Sequence, residues 1–184
     1  TDHLLLYNPE PAAVIAGREF LYDANLTSTN GEASCSSCHI FGRMDDLAWD
    51  LGDPAGAIVL NPNPFELATF GTAQFHPLKG PMTTQSLRGM DNHGPMHWRG
   101  DRSGALVGSL FTNEDAAFKQ FNPAFVGLLG RSNQLSASQM QAFTDFILQL
   151  SYPPNPVRNL DNTDTSEEAI GRSLFMNDAS DQGV

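Results

Sequence analysis

The segment Cys35-Ser36-Ser37-Cys38-His39 is where residue type and spacing in this sequence dictate chemistry. Two thiols three residues apart on a tight turn can each add to one vinyl group of the same porphyrin. The histidine directly after the second cysteine then lies under the iron and offers a ring nitrogen as proximal ligand. Cys-x-x-Cys-His is the attachment signature of a c-type haem. Cys35 and Cys38 are the chain's two cysteines, and both fall at this spacing. Other uses of the pair fit less well. A structural zinc site wants four ligands, with a second Cys or His pair at short spacing. A thioredoxin-like pair wants a βαβ context. A structural disulfide across three residues is rare.

A haem that only passes electrons takes a second protein ligand, whereas one that does chemistry keeps an open or weakly held position. The downstream candidates are His76, Met82, Met90, His93, Met96 and His97. Met82, in Lys79-Gly80-Pro81-Met82-Thr83-Thr84, is the first choice because that turn could present a thioether on a loop. Met96, in Gly94-Pro95-Met96-His97, is the alternative, and a histidine or an open position follows. Either methionine could equally fill the core. Met44 is too near His39 in sequence to reach the opposite haem face. Lys79, Arg88, Arg99 and Arg102 form a basic stretch. Haem propionates pair with arginine in bidentate fashion, so Arg88 or Arg99 could anchor one, with Trp98 lining the pocket or donating its indole N–H. The same stretch could instead be a solvated edge facing Asp91 and Asp101. No catalytic residue is singled out: His76, His93 and His97 could each supply an acid or base, and spacing chooses none of them.

The elements that must position these residues read as helices joined by long loops. A helix starts at Pro11, with Ala13, Ile15, Ala16, Phe20 and Leu21 as its buried stripe and Gly17 allowing a close approach; it fades by Leu26. Residues 42–80 are rich in Gly, Pro and Asn and read as a long ordered loop with short helical turns, which a large cofactor would give something to pack against. Residues 83–90 and 101–111 are candidate short helices, and Asn113-Glu114-Asp115 begins another. The clearest helix is 136–151, capped by Ser136 or Ser138, with Met140, Phe143, Phe146, Ile147 and Leu150 on one face. No long alternating strand pattern occurs. The expected class is all-α: a class I cytochrome c-like haem domain with long ordered loops and few or no strands.

Composition bounds the rest. With 21 acidic and 10 basic residues the formal charge is −11. Such a surface repels phosphate backbones, so nucleic acid is not an expected partner, while its charge leaves room for cationic partner proteins. No apolar run approaches the ~18 residues of a membrane span. The chain opens at Thr1 without a methionine or a signal-like segment, as a processed or excised piece would. Gly17-Arg18-Glu19-Phe20-Leu21 is echoed by Gly171-Arg172-Ser173-Leu174-Phe175 after a proline- and aspartate-rich stretch. The expected organisation is a lead-in over 1–10, a haem domain over 11–152, a linker over 153–165, and the start of a second, truncated cytochrome-like domain over 166–184.

Cys35–His39, then Lys79-Gly80-Pro81-Met82-Thr83-Thr84-Gln85-Ser86-Leu87-Arg88-Gly89, then His97-Trp98-Arg99-Gly100-Asp101-Arg102 together resemble a haem domain of the bacterial di-haem cytochrome c peroxidase superfamily, which also holds the methylamine-utilisation enzymes. Ser86-Leu87-Arg88 matches that family's Ser/Thr-Leu-Arg segment. His97-Trp98-Arg99-Gly100-Asp101 matches its aromatic stretch ending in Asp-Gly loosely, with arginine where aspartate is usual. The resemblance implies two tandem haem domains, covalently attached haem c, and a methionine near position 82 as axial ligand. It implies an electron-transfer domain of a peroxidase-like oxidoreductase, or alternatively a catalytic haem domain reducing hydrogen peroxide at an open iron. A redox partner protein or a second haem domain would exchange electrons with it. Covalent attachment of this kind takes place outside the cytoplasm, so a periplasmic or exported location is expected. Related peroxidases can hold calcium between domains, but single acidic residues such as Asp45 or Asp50 do not define a site.

Overall fold

A computed structural model describes residues 7–60, 74–104, 113–161 and 163–177. The chain divides into two units, Thr1–Ser151 and Tyr152–Val184. It is mainly helical, with two small two-stranded sheets among the described residues.

The first unit is built on two eleven-residue helices, α1 (Ala12–Tyr22) and α5 (Ala137–Ile147). They approach closely because Gly17 has no side chain. A Cβ there would lie 2.2 Å from the Ala142 carbonyl oxygen and 2.3 Å from Phe146 Cβ. That approach selects the buried face of α1: Gly17, Phe20 and Leu21 are inside, with Val14 packed against the core. Ile15 and Ala16, expected in the stripe, face outward. The α5 N-terminus is closed by Ser136 and Gln139 in a reciprocal capping box, which satisfies two otherwise orphaned amides. The helix ends at Ile147 rather than 151.

Between them stand α2 (Ala24–Thr27), α3 (Glu114–Lys119) and α4 (Ala124–Gly127). Asp23 caps α2 and Asn113 caps α3 through side-chain oxygens. Pro123 opens α4. The Asn122 side chain bonds both the N–H and the carbonyl of Leu135 at 2.9 Å, which pins the approach to α5. Phe143 is the hub of the core, with the rings of Phe20, Phe118 and Phe125 around it. Met96 is buried in this cluster, and Cys35, Leu87 and Met90 pack against it.

Part of the long loop region forms strands instead of the helical turns expected. β1 (Ala48–Trp49) pairs antiparallel with β4 (Met82–Thr83), placing Trp49 opposite Met82. β2 (Val59–Leu60) pairs antiparallel with β3 (Gln74–Phe75). Residues 83–90 are not helical: β-branched Thr83 and Thr84 favour extended backbone, and Leu87 N–H turns outward to the Gly42 carbonyl. Residues 101–104 are likewise irregular, with Arg102 bridged to Met96; the rest of the helix expected over 101–111 falls on 105–112, outside the described residues.

In the second unit, α6 (Ser166–Asn177) has no buried residue. Ile170, Leu174, Phe175 and Met176 are exposed on it. Residues 178–184, the end of the expected second domain, lie outside the described residues.

Candidate haem-attachment site

Cys35–Ser37 form one 3-10 turn, closed by Ser37 N–H to the Ser34 carbonyl and extended by His39 N–H to the Cys35 carbonyl at 2.9 Å. A 3-10 turn eclipses residues i and i+3, so it puts Cys35 and Cys38 on the same side. Neither thiol is in a disulfide. Burial pushes the Cys35 thiol up to about 11, and burial together with the neighbouring Asp45 carboxylate raises Cys38. Both are therefore thiols, not thiolates, at neutral pH.

His39 is half-buried, and burial lowers its pKa, so the ring is neutral. Its Nδ1 lies 2.8 Å from the main-chain carbonyl oxygen of Gln85. A carbonyl only accepts, so the proton sits on Nδ1 and Nε2 carries the lone pair; the Arg43 main chain is a second polar neighbour of the ring. This is the tautomer a metal-binding histidine uses when its other nitrogen is tied to an acceptor. The segment carrying Gln85 is stitched alongside the motif. Leu87 N–H bonds the Gly42 carbonyl at 3.0 Å, and the Arg88 guanidinium bonds the Phe41 carbonyl at 3.0 Å. Phe41 holds a left-handed backbone, φ 52°, and its ring is 75% exposed.

Asp45 ties the next stretch to the motif. Its carboxylate accepts from the Leu47 N–H at 3.0 Å and the Trp49 indole at 2.9 Å, and also from Thr84. Partial burial would raise it, but these hydrogen bonds outweigh that and bring it down to about 2. Trp98 donates its indole N–H to the Thr83 carbonyl at 2.7 Å, which fixes the 97–102 loop against β4. Ile40, Phe41, Leu47, Trp49 and Trp98 are all exposed on these interlinked segments. Five large apolar side chains left in water around one motif mark a surface built to be covered. Unpaired thiols on one side of a turn, an imidazole with its lone pair on Nε2 and this apolar surround fit a covalently held haem. Among the described residues no group of three or more His, Cys, Asp or Glu side chains is arranged for a metal ion.

The other sequence candidates are spread around this centre. Met82 is half-buried on β4, three residues ahead of Gln85. Met96 is 7% exposed, within the core. Arg99 is engaged by the His76 carbonyl at 2.6 Å and stacks over Phe75. Arg88 and Trp98 are joined to the site through the bonds already given.

One pairing was not read from the sequence. His97, at a left-handed φ of 68°, places Nδ1 2.7 Å from Asp101 Oδ1, and Arg102 holds the other carboxylate oxygen at 3.0 Å. Asp101 is 4% exposed. Burial would raise its pKa, but the His97 hydrogen bond and the charges of His97, Arg102 and Lys79 bring it down to about 2. The four-residue spacing of His97 and Asp101 was the available signal; turn geometry, not helical periodicity, brings them together.

No family model matches the chain, and no curated protein matches it. Among solved structures, its fold is similar to that of a hydrazine synthase from Kuenenia stuttgartiensis, determined under xenon, with a TM-score of 0.55 at 23% identity. The match covers 94% of this chain and 48% of that one, so this chain spans about half its length. At that identity the likeness is one of fold. Among the described residues no helix is long and apolar enough to cross a membrane.

Proposed function

We propose that residues 11–152 are a covalent haem c domain that transfers single electrons within a peroxidase-like oxidoreductase, matured in the periplasm or another exported compartment. The observation that carries this reading is the His39–Gln85 contact beside two unpaired cysteines, because it leaves the lone pair on Nε2 at the point where the motif needs a ligand. Bound there, the haem would supply a reversible one-electron couple. Cys35 and Cys38 would hold it, and His39 would be its proximal ligand. The exposed aromatic side chains would exclude water from its edge. Arg88, beside Phe41, is the better placed of the two arginines for a propionate, since Arg99 is already engaged by the His76 carbonyl, the Phe75 ring and the Asp101 carboxylate. Met82 is the sixth ligand in this reading.

The alternative is an open iron face that reduces hydrogen peroxide. One observation favours it: His97 has a buried carboxylate partner, Asp101, at its Nδ1. His97 would then handle the proton.

We read α6 as the first helix of a second domain of the same kind, which would be one electron partner; a separate redox protein is the other. The echo extends to an ion pair. Arg18 lies bidentate on Glu10, eight residues upstream, and Arg172 lies bidentate on Asp164 at the same offset.

The test is expression with the full c-type maturation machinery. A red protein one haem heavier than the polypeptide, which loses that mass in a Cys35→Ala, Cys38→Ala double variant, supports the proposal. A colourless protein at apoprotein mass overturns it. Cyanide and peroxide then separate the two readings: a ferric iron with both axial positions filled resists them, and an open one binds both.

A further inference from the structure

The acid at position 45 has no part in the haem ligation. Its carboxylate is met by three neutral donors from three places, the Leu47 amide, the Trp49 indole and the Thr84 side chain. Neutral donors fix a carboxylate without cancelling its charge. Among the described residues no arginine, lysine or histidine forms an ion pair with it. Geometry places it beside the motif: it holds the Leu47 amide, the Leu47 carbonyl accepts from the Thr84 N–H at 3.1 Å, and the next residue, Gln85, holds the His39 ring; its charge raises the Cys38 thiol. When that thiol adds to a vinyl group, the C–S bond forms and the thiol hydrogen passes to the neighbouring vinyl carbon. The sulfur then has no proton to offer, but the other three donors remain and the carboxylate keeps its place.

We infer that Asp45 is a fixed anion at the edge of the haem held by Cys38, and that it sets the reduction potential of that haem lower than the surrounding apolar side chains alone would. This inference rests on the haem reading. A ferric haem carries one more positive charge than a ferrous one, so a nearby anion favours the oxidised form. Asp45 and its donors lie in partly wet surroundings, so the effect is screened by salt. The carboxylate is a positioning group as well: through Trp49 and Thr84 it joins β1 and β4 to the motif.

The experiment is a spectroelectrochemical titration of the haem-bearing protein, with mediators supplying the electrons, at low and high ionic strength. Asp45→Asn should raise the midpoint potential, more at low salt, with the absorption spectrum unchanged. Asp45→Glu should stay near the parent. Asp46→Asn, a neighbouring charge without these donors, should shift it less. If Asp45→Asn yields no haem-bearing protein, Leu47→Lys sets a cation beside the carboxylate from an exposed position, and the midpoint should again rise. A midpoint in Asp45→Asn equal to the parent's, or moved no further than in Asp46→Asn, overturns the inference, as does an unmoved midpoint in Leu47→Lys. A parent protein that carries no haem overturns the underlying reading instead.

Discussion

The Nδ1 atom of His39 and the main-chain carbonyl of Gln85 are 2.8 Å apart across 46 residues of sequence. The contact closes the loop that surrounds the candidate site, and it uses no atom of the glutamine side chain. Gln85→Ala should therefore leave the visible spectrum and midpoint potential of the haem-bearing protein unchanged. His39→Ala should abolish the low-spin spectrum while the thioether mass remains. A glutamine side-chain dependence would mean that the histidine ring is oriented differently.

The two methionines should separate cleanly. Met96 is buried among core residues, so Met96→Ala should cost about 2–4 kcal/mol in denaturant unfolding. Met82 sits half-buried in a two-residue strand, and Met82→Ala should cost less than about 1 kcal/mol. The weak red band of a methionine-bound ferric haem should vanish in Met82→Ala and persist in Met96→Ala. Absence of that band in the parent, with cyanide binding, would shift the function to the open-iron reading.

Residues 35–39 were legible because the chemistry is local: five consecutive positions specify both attachments and a ligand. Helix α5 was legible for a similar reason. Ser136 and Gln139 sit at capping-box spacing, and Met140, Phe143, Phe146 and Ile147 recur at helical period. In α1, Phe20, Leu21 and the close approach at Gly17 were legible, but Ile15 and Ala16 were wrongly turned inward because Ile15 looks buried by type, whereas the approach at Gly17 decides which face turns inward. Residues 83–90 were misread as helix because Ser86-Leu87-Arg88 has good local propensity. Their conformation is fixed by partners at Phe41, Gly42 and His39, which no window of sequence contains. The Asp45 and His97–Asp101 arrangements were missed because single acids carry no signal until their donors are in place.

Gly17 and Gly171 stand at equivalent places in the repeated segments but in opposite surroundings. Gly17→Ala forces α1 and α5 apart and should cost ~3 kcal/mol in thermal or denaturant unfolding. A Cβ on Gly171 meets nothing within 4 Å, so Gly171→Ala should raise the helicity of α6 by the propensity difference, about 1 kcal/mol. If α6 opens a second domain, the same substitution should turn from stabilising to destabilising in a protein that includes that domain. A Gly171→Ala effect that keeps its sign there would remove the equivalence with Gly17.

Asp101 makes acid stability a test of the His97 loop. Its carboxyl is held near 2, below an ordinary value of 3.8. A carboxyl whose folded pKa is depressed contributes stability that is present above the unfolded pKa and is lost as pH falls toward the folded one. The contribution should therefore be whole at pH 7 and disappear between roughly pH 4 and 2, amounting to about 2 kcal/mol. Asp101→Asn should lose that amount at pH 7 and match the parent near pH 2, because both then present a neutral group to His97 and Arg102. Denaturant unfolding of both proteins across that range gives the answer. A deficit in Asp101→Asn that stays constant with pH would show that the residue acts through packing and not through its charge, and His97 would then have no charged partner to fix its tautomer.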